Sequence, residues 1–328
     1  MATGTGGRVT VAGAGALGLC IALALARRGR EVVVTDPAAA GDNASGVAAG
    51  MLAPAFEAAL DPVCADHFDL LLAGRDLWPD MAETVGFELD RSGAAYHGEQ
   101  VGAVAARLAA LGVETEVQDD RVFTREDWRL SPRPVMSALR RAAERVGVRF
   151  EAAPARATPD GALVVATGMG GAGLAPELAL LSPIKGHILR LYGGPGSGPV
   201  IRGDGVYICP DPGGAIIGAT MEPGVHDLAV DPARVATLRQ TAEALAPGLA
   251  GLQAVAQTGV RAATPDGLPM VGWSAASGVM LAVGARRNGW LLAPLVARTV
   301  AAYVADEDPG PYAARLDPRR FDKTGNSP

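Results

Sequence analysis

The chain has few of the residues that mark several common protein classes. It contains three cysteines among 328 residues, Cys20, Cys64 and Cys209, and they are far apart. This number and spacing suit neither a disulfide framework nor a zinc site. We therefore expect each cysteine to be a small buried apolar residue, and we expect a reducing, cytoplasmic location.

An excess of positive charge and a long apolar run are also missing. The net charge is −6 and the isoelectric point is about 5.3, which argues against a nucleic-acid partner because such proteins carry a basic surface. No stretch reaches the ~18 consecutive apolar residues of a membrane helix, so no membrane partner is expected. The first seven residues lack the basic segment of a signal peptide, so none is predicted. The four histidines show no ligand spacing, and we predict no metal site: His67, His97, His187 and His226.

What the chain does have is enough apolar sequence for a large folded core. Hydrophobic residues make up 49% of it and charged residues 20%. The length suggests two domains, at ~100–200 residues each.

A nucleotide-binding motif lies near the N-terminus. A short β-branched run is followed by Gly13, Gly15 and Gly18 in the spacing Gly-x-Gly-x-x-Gly, then by an apolar helix and a second strand that ends at Asp36. Gly13 allows a tight turn, Gly15 lets the backbone approach a pyrophosphate, and Gly18 lets helix and strand pack closely. Asp36 is suited to accept hydrogen bonds from a ribose diol. The motif alone does not separate NAD from FAD.

The rest of the chain alternates helical and strand patterns. We predict one amphipathic helix over 66–85, and antiparallel strands over 187–192, 206–209 and 215–219, the last two joined by a turn at 211–214. The final long helix is expected to begin at Gly289 with Asn288 as its cap, although Pro294 predicts a kink or a later start. The polar chain after Asp306 is expected to fray.

Two arginines near the C-terminus are candidates for ligand binding. Arg261 and Arg287 each stand beside a turn rich in glycine and proline. A guanidinium group matches a carboxylate in a bidentate manner, so two of them could hold a small acid. Two solvated surface cations are the alternative interpretation, and spacing alone favours it.

Several longer stretches, spread over the whole chain, form a recognisable set: 13–18 with Asp36, 45–54, 166–168, 183–186, 207–210, 218–221, 261–272 and 287–294. In these stretches the sequence resembles the FAD-dependent D-amino acid oxidase superfamily, and within it the glycine oxidases of thiamine biosynthesis.

This resemblance implies an α/β fold in which a discontinuous Rossmann-like FAD-binding domain carries an inserted substrate domain, an antiparallel or mixed sheet with a helix. The FAD-binding domain is expected at 1–82, 127–181 and 260–320, the substrate domain at 83–126 and 182–259, and a flexible tail at 321–328.

The resemblance also implies roles for individual residues. Arg261 would bind the substrate carboxylate, Tyr207 would hydrogen-bond it, Arg287 would line the pocket at the flavin edge, and Met51 would lie near the flavin ring. The residues implied in FAD binding are Gly13, Gly15, Ala16, Leu17, Gly18, Asp36, Pro37, Ser45, Ala48, Ala49, Gly50, Met51, Ala166, Thr167, Gly168, Arg287, Asn288, Gly289, Trp290 and Leu291.

The chain departs from the family pattern at three positions. Ala285 and Arg286 stand where the family usually has histidine and an aromatic residue, and Ala262 stands where close relatives have proline. The extra charge at Arg286 is expected to change the preference of the pocket.

The implied activity is oxidative deamination of a small amino acid, with O2 as electron acceptor and H2O2 as product. Glycine is the favoured substrate, and sarcosine or a D-amino acid is the alternative. Because no side-chain base stands within the motifs, we expect catalysis by positioning of a neutral amine. Thiazole-synthesis enzymes and a second copy of the chain are possible partners. An NAD-dependent dehydrogenase and a non-catalytic flavoprotein subunit remain open as other interpretations.

Overall fold

The structure is a computed structural model that describes residues 7–156 and 161–324; the rest of the expected tail, 325–328, lies outside the described residues. Its strands are β1 (Val9–Ala12), β2 (Val32–Thr35), β3 (Met51–Leu52), β4 (Ala94–His97), β5 (Glu116–Gln118), β6 (Arg121–Thr124), β7 (Trp128–Arg129), β8 (Arg149–Glu151), β9 (Ala162–Val165), β10 (Ser182–Tyr192), β11 (Val200–Gly203), β12 (Val206–Asp211), β13 (Gly214–Gly218), β14 (Glu222–Pro223), β15 (Gln253–Ala263), β16 (Met270–Trp273) and β17 (Val279–Val283). Its α-helices are α1 (Ala16–Arg27), α2 (Ala44–Val47), α3 (Pro54–Leu60), α4 (Phe68–Asp76), α5 (Trp78–Val85), α6 (Val101–Ala110), α7 (Pro132–Arg145), α8 (Pro232–Leu245), α9 (Gly289–Ala305) and α10 (Ala313–Leu316).

One sheet has six strands in the order β16-β17-β9-β1-β2-β8. All neighbours are parallel except β16, which runs antiparallel to β17. The inner strands β1, β2 and β17 are buried along their whole length, as expected for a parallel sheet covered on both faces. Helices α1, α7 and α9 supply much of the main core, which encloses the start of α1 beside β1.

A second sheet has nine strands and is mostly antiparallel. The order is β14-β10-β13-β12-β11-β4-β6-β5, and β15 pairs along the length of β10. The expected turn joins β12 to β13, with Asp211 opposite Gly214. Helix α8 packs on one face of this sheet through Leu238 and Ala242, and the other face looks toward the helices around β3.

The two sheets are joined where β15 leaves the second one. Ala263 forms an isolated bridge with Ala285, and the Arg286 N–H donates to the Ala262 carbonyl at 2.8 Å. Backbone hydrogen bonds thus tie the end of β15 to the loop that precedes α9. The predicted boundary at residue 259 falls inside β15, and the division into domains stays a prediction.

The prediction of a single helix over 66–85 is wrong. The segment folds as a 3-10 turn (Ala65–His67) followed by α4 and α5. Pro79 stands in the first turn of α5, where it is tolerated because its missing N–H would have no intrahelical partner. Apolar periodicity continues across the break, which is why the pattern did not reveal it.

The predicted start of the final helix is confirmed: α9 begins at Gly289 with Asn288 at the N-cap position. The alternative of a later start is wrong, since Pro294 lies inside the helix, and the Asn288 side chain makes no capping bond. The expectation that the chain frays after Asp306 is wrong for the residues up to 324, because α10 and a 3-10 segment (Pro318–Thr324) follow. Leu316 is fully buried, and Phe321 packs on the sheet core, so apolar anchors hold the part of the expected tail that the structure describes.

Candidate functional site

The glycine motif forms a close turn between β1 and α1. A Cβ on Gly13 would lie 2.4 Å from the Ala166 carbonyl oxygen, and one on Gly18 would lie 1.9 Å from the Gly13 carbonyl oxygen. Gly15 at the N-cap of α1 supplies no side-chain capping bond. The turn is therefore compact, and it leads directly into the N-terminal end of α1, where the helix dipole favours an anionic group.

Two side chains already contact this turn. The Ala14 N–H donates to Asp36 Oδ2 at 2.8 Å, and the Ala16 N–H donates to Ser45 Oγ at 3.0 Å. Asp36 thus lies at the end of β2 with one carboxylate oxygen against the glycine turn. The Trp290 indole N–H donates to the Ser45 carbonyl at 3.0 Å, which connects the turn to the start of α9.

A row of residues on one face of the second sheet lines a cavity of about 370 Å³. Arg202 lies opposite Tyr207, Tyr207 opposite Gly218, and Gly218 opposite Ile188. Cross-strand partners point to the same face, so this row shares one surface. Arg261 lies on β15 opposite Ile184, and it lines the same cavity.

Arg261 therefore does not stand in a loop, as its sequence context suggested, but near the end of an eleven-residue strand. Its Nη1 is 3.4 Å from the Thr220 carbonyl oxygen and 3.6 Å from Met221 Sδ. No carboxylate pairs with it within the described ranges. Burial lowers the pKa of Arg261, although the guanidinium stays charged. It is a cation on a cavity wall without a counter-ion.

Glycines make room for the two side chains that the sequence singled out. A Cβ on Gly186 would lie 2.4 Å from Nη1 of Arg261, and a Cβ on Gly218 would lie 2.2 Å from the Tyr207 hydroxyl. Burial raises the pKa of Tyr207 to about 12, so its hydroxyl remains a hydrogen-bond donor at neutral pH. The matched glycines fix where both polar groups stand.

Arg287 differs from Arg261 because it is paired. Its Nη2 lies 3.1 Å from Glu57 Oε1, and its Nη1 lies 3.5 Å from Asp61 Oδ2. Arg286 has a backbone φ of 49° and forms an ion pair with Asp61. The charge expected to redirect the pocket is therefore compensated by a buried carboxylate.

Glu57 links two arginines. Its Oε1 accepts from Arg202 Nη1 at 3.1 Å as well as from Arg287. Burial alone would raise the pKa of Glu57, but Arg287 and Arg202 outweigh it and hold that pKa below its usual value. Glu57 is thus ionised at neutral pH and is poorly suited to act as a base.

The same acids come close to Cys64, with possible ligand atoms of Glu57, Asp61 and Cys64 within 4.8 Å of one another. The arrangement does not suit a cation. Arginines form ion pairs with both carboxylates. Burial also raises the pKa of the Cys64 thiol to about 11, whereas a metal needs the thiolate.

The predicted site residues fall into two groups. Arg261, Tyr207 and Arg287 line the cavity together with Ala48, Ala49, Gly50, Met51, Asn288 and Trp290. The others surround the glycine turn or the start of α9 and do not line that cavity: Gly13, Gly15, Ala16, Leu17, Gly18, Asp36, Pro37, Ser45, Ala166, Thr167, Gly168, Gly289 and Leu291.

Sequence reasoning missed Glu57, Asp61 and Arg202. Each is a charged residue that is at least nine-tenths buried. The signal was weak but present, since Glu57 interrupts an apolar run and Arg202 stands inside a short strand. Charges at such positions are rarely buried unless paired.

The geometry fits a flavin dinucleotide. The turn at Gly13–Gly18 offers backbone N–H groups to a pyrophosphate, and the small residues Ala48, Ala49 and Gly50 border the cavity beside Arg287 and Asn288. Small side chains at this border leave room for a planar ring system.

Comparison with known proteins decides the family. A family model described as FAD dependent oxidoreductase (DAO) matches residues 8–303. The chain belongs to this family. It is an FAD-dependent oxidoreductase.

Members with assigned activities are similar over most of this chain. The tRNA 5-methylaminomethyl-2-thiouridine biosynthesis bifunctional protein MnmC of Maricaulis maris is 30% identical over 90% of this chain and 52% of its own length. The bifunctional protein ThiO/ThiG of Synechocystis is 28% identical over 98% of this chain and 55% of its own length. The chain thus spans about half the length of these two relatives. The glycine oxidase of Geobacillus kaustophilus is 28% identical over 90% of this chain and 92% of its own.

Solved structures share the fold. The glycine oxidase structure from Geobacillus kaustophilus has a TM-score of 0.83 and 25% identity, and covers 95% of this chain and 98% of its own. An iminodiacetate oxidase from Chelativorans has the same TM-score at 23% identity, with 95% and 99% covered. Within residues 7–156 and 161–324, no helix is both long and apolar enough to cross a membrane.

Proposed function

We propose that this FAD-dependent oxidoreductase is an amino acid oxidase that deaminates glycine or a similarly small amino acid. The observation that carries the proposal is Arg261, a cation without a counter-ion on the wall of the cavity. An anionic substrate group would supply the missing partner, and a carboxylate matches the guanidinium in a bidentate manner. The named relatives include the glycine oxidase of Geobacillus kaustophilus.

In this proposal Arg261 binds the substrate carboxylate and the Tyr207 hydroxyl donates a second hydrogen bond to it. Arg287, with its charge balanced by Glu57, lines the wall near Asn288. Bound FAD would supply the two-electron oxidation of the carbon that bears the amine, with O2 as the final electron acceptor and H2O2 as its product. The residues' task is to hold that carbon in place, because both carboxylates of the described cavity wall already have partners: Arg202 and Arg287 donate to Glu57, and the Tyr96 hydroxyl donates to Asp204.

The proposed FAD contacts are those the sequence suggested. Gly13, Gly15 and Gly18 would hold the pyrophosphate at the start of α1, and Asp36 would accept from the ribose. Asp36 Oδ1 accepts from the Ala38 N–H at 2.9 Å, so a ribose hydroxyl would share this carboxylate with the backbone.

A secondary amine such as sarcosine is a second candidate. Beyond Arg202 the cavity continues to Tyr96, Gln100 and Asp204. This extension offers space for a substituent on the amine nitrogen. A role in thiazole synthesis, with thiazole-forming enzymes as partners, is supported by the ThiO/ThiG relatives alone.

The test is an H2O2 assay of the purified yellow protein over glycine, sarcosine and a panel of D-amino acids. We expect glycine or sarcosine to give the highest kcat/KM. Lack of H2O2 release with every amine would contradict the oxidase proposal.

Variants of Arg261 test the anchor. Arg261→Ala is expected to raise KM by at least about 30-fold, since truncating one partner of a buried charge pair costs ~2–5 kcal/mol. Arg261→Lys should also lose affinity because an ammonium group cannot chelate a carboxylate. Flavin absorbance should remain in both variants. An unchanged KM in Arg261→Ala would remove its assigned role.

A further inference from the structure

Met221 is a methionine placed against the proposed carboxylate anchor. Its Sδ lies 3.6 Å from Nη1 of Arg261, and its side chain lines the cavity. Met221 is 37% exposed, which is more than any other methionine that the structure describes.

Exposure decides which thioether an oxidant reaches. Met136, Met270 and Met280 are buried in the core. Met51 also borders the cavity, but it is only partly exposed and its Sδ faces Arg202, whose charge is paired with Glu57. Among the methionines that the structure describes, Met221 alone combines exposure to solvent with contact to a guanidinium that has no carboxylate partner.

We propose that Met221 is an oxidation site through which H2O2 lowers the affinity of the enzyme for its carboxylate substrate. The Met221 sulfur attacks one oxygen of H2O2, an S–O bond forms, and the O–O bond breaks. The sulfur is oxidised by two electrons to the sulfoxide, and the departing oxygen leaves as water after proton transfer. The internal supply of H2O2 rests on the proposed oxidase function.

Oxidation of Met221 changes the hydrogen-bond acceptor that lies next to Arg261. A thioether is a weak acceptor, whereas a sulfoxide oxygen is polar and accepts hydrogen bonds well. Because the sulfur already lies in hydrogen-bonding range of Nη1, the added oxygen can take the donor that the substrate carboxylate requires. Turnover would then weaken substrate binding progressively, and methionine sulfoxide reductases would restore it.

Carboxylate binding can be measured without turnover. Acetate is titrated against the FAD-loaded protein, with tryptophan fluorescence as the readout because Trp290 lines the cavity. After treatment with millimolar H2O2 and removal of the excess, peptide mass spectrometry should find the sulfoxide chiefly at Met221. We expect the Kd for acetate to rise about tenfold, the value of one hydrogen bond to a charged group. A mixture of both epimer-specific reductases should reverse the change.

Two variants serve as matched controls, each compared before and after treatment. Met221→Leu should show no change in acetate Kd on treatment, and Met81→Leu, which keeps Met221, should respond as the natural chain does. An equal loss of affinity in Met221→Leu would overturn the proposal, as would oxidised Met221 with an unchanged Kd, or untreated protein that does not bind acetate.

The result also separates this proposal from the oxidase proposal. If added H2O2 weakens acetate binding but no amine yields H2O2, the oxidase proposal fails and the Met221 site stands. If amines yield H2O2, catalase should prevent a rise in KM during prolonged turnover of the natural chain, and Met221→Leu should need no catalase. A rise in KM that catalase does not prevent would contradict the proposal that the enzyme's own H2O2 lowers its affinity for substrate.

Discussion

Charged side chains around the cavity differ in how they are neutralised. Arg202, Arg286 and Arg287 share the carboxylates of Glu57 and Asp61, while Arg261 has neutral acceptors only. A buried charge is costly unless it is paired. Arg107 also lines the cavity with only a carbonyl as acceptor, but it is exposed to solvent. Arg261 is therefore the place on the described cavity wall where a ligand's negative charge lowers the electrostatic free energy most.

Gly186 provides a test of this position without changing Arg261 itself. In Gly186→Ala the new methyl group would lie 2.4 Å from Nη1 and 2.8 Å from the Thr220 carbonyl oxygen, so the guanidinium must move. We expect KM to rise about tenfold, as for one lost hydrogen bond to a charged group, while flavin content is kept. The control is Gly248→Ala, where a Cβ meets nothing within 4 Å. An unchanged KM in Gly186→Ala would show that this contact does not position Arg261.

The pKa values of the cavity residues predict a simple pH profile. Burial raises the pKa of Tyr207 to about 12, and the pKa of Glu57 lies below its usual value, so neither changes its charge near neutrality. We expect kcat/KM to rise about tenfold per pH unit between about pH 6 and 8, because only the neutral amine can react. In steady-state kinetics with glycine and with sarcosine, kcat/KM should level off at a pH set by the pKa of each substrate's amine. One plateau near pH 7 for both substrates would instead point to a titrating side chain.

At the scale of elements, helix α3 carries Glu57 into the cavity wall and depends on a buried cap. Asp127 accepts from the Ala55 and Phe56 N–H groups at 2.9 and 3.2 Å. Burial raises its pKa to about 6. The protonated form is thus favoured in the folded state, so its stabilising effect is complete below about pH 4 and is lost as the pH rises through 6.

The expected result is a difference between the natural chain and Asp127→Asn that changes with pH. The free energy of unfolding of the natural chain, relative to the variant, should fall by about 2–3 kcal/mol from about pH 4 to 7. Urea unfolding of both FAD-loaded proteins at the two pH values measures it, with Asp119→Asn at an exposed turn as the control. A difference that is equal at both pH values would contradict the raised pKa.

The elements that could be predicted from sequence are those with strong local signals. The turn at Gly13 and the hairpin at Asp211–Gly214 were both predicted, and the structure contains them. Strand β15 was missed because its side chains are mostly half-buried and alternate weakly. Its length depends on pairing with β10, a contact between residues about 70 apart in the chain, and sequence periodicity does not report such pairing.

The candidate site was predictable only in part, for the same reason. Arg261 and Tyr207 were identified because their surrounding motifs are specific. The carboxylates of Glu57 and Asp61 were not, because an ion pair with Arg286 or Arg287 joins residues more than 220 positions apart.

At the scale of the whole molecule, FAD binding and folding should be linked. A ligand that binds only the folded state stabilises it by about 2.7 kcal/mol at 100 times its Kd. We expect removal of FAD to lower the Tm by several degrees, and re-addition to restore it. Gly13→Ala should prevent this recovery, because its φ of 104° disfavours a side chain and the Cβ would lie 2.4 Å from the Ala166 carbonyl oxygen.

The control is Gly102→Ala on α6, where the Cβ meets nothing within 4 Å. Differential scanning fluorimetry with and without added FAD separates the outcomes. An equal gain in Tm for Gly13→Ala and the natural chain would remove the glycine turn from the FAD site.

The backbone bridge from Ala263 to Ala285, with the Arg286 N–H on the Ala262 carbonyl, sets the spacing between Arg261 and Arg287 through main-chain atoms alone. The three departures from the family pattern, Ala262, Ala285 and Arg286, stand at this joint. Ala262 and Ala285 are buried, and Arg286 pairs with Asp61, which also lies 3.5 Å from Arg287. Substitutions at the joint can therefore alter substrate preference through the packing and charge around the two guanidiniums, while backbone hydrogen bonds hold together the segments that carry them.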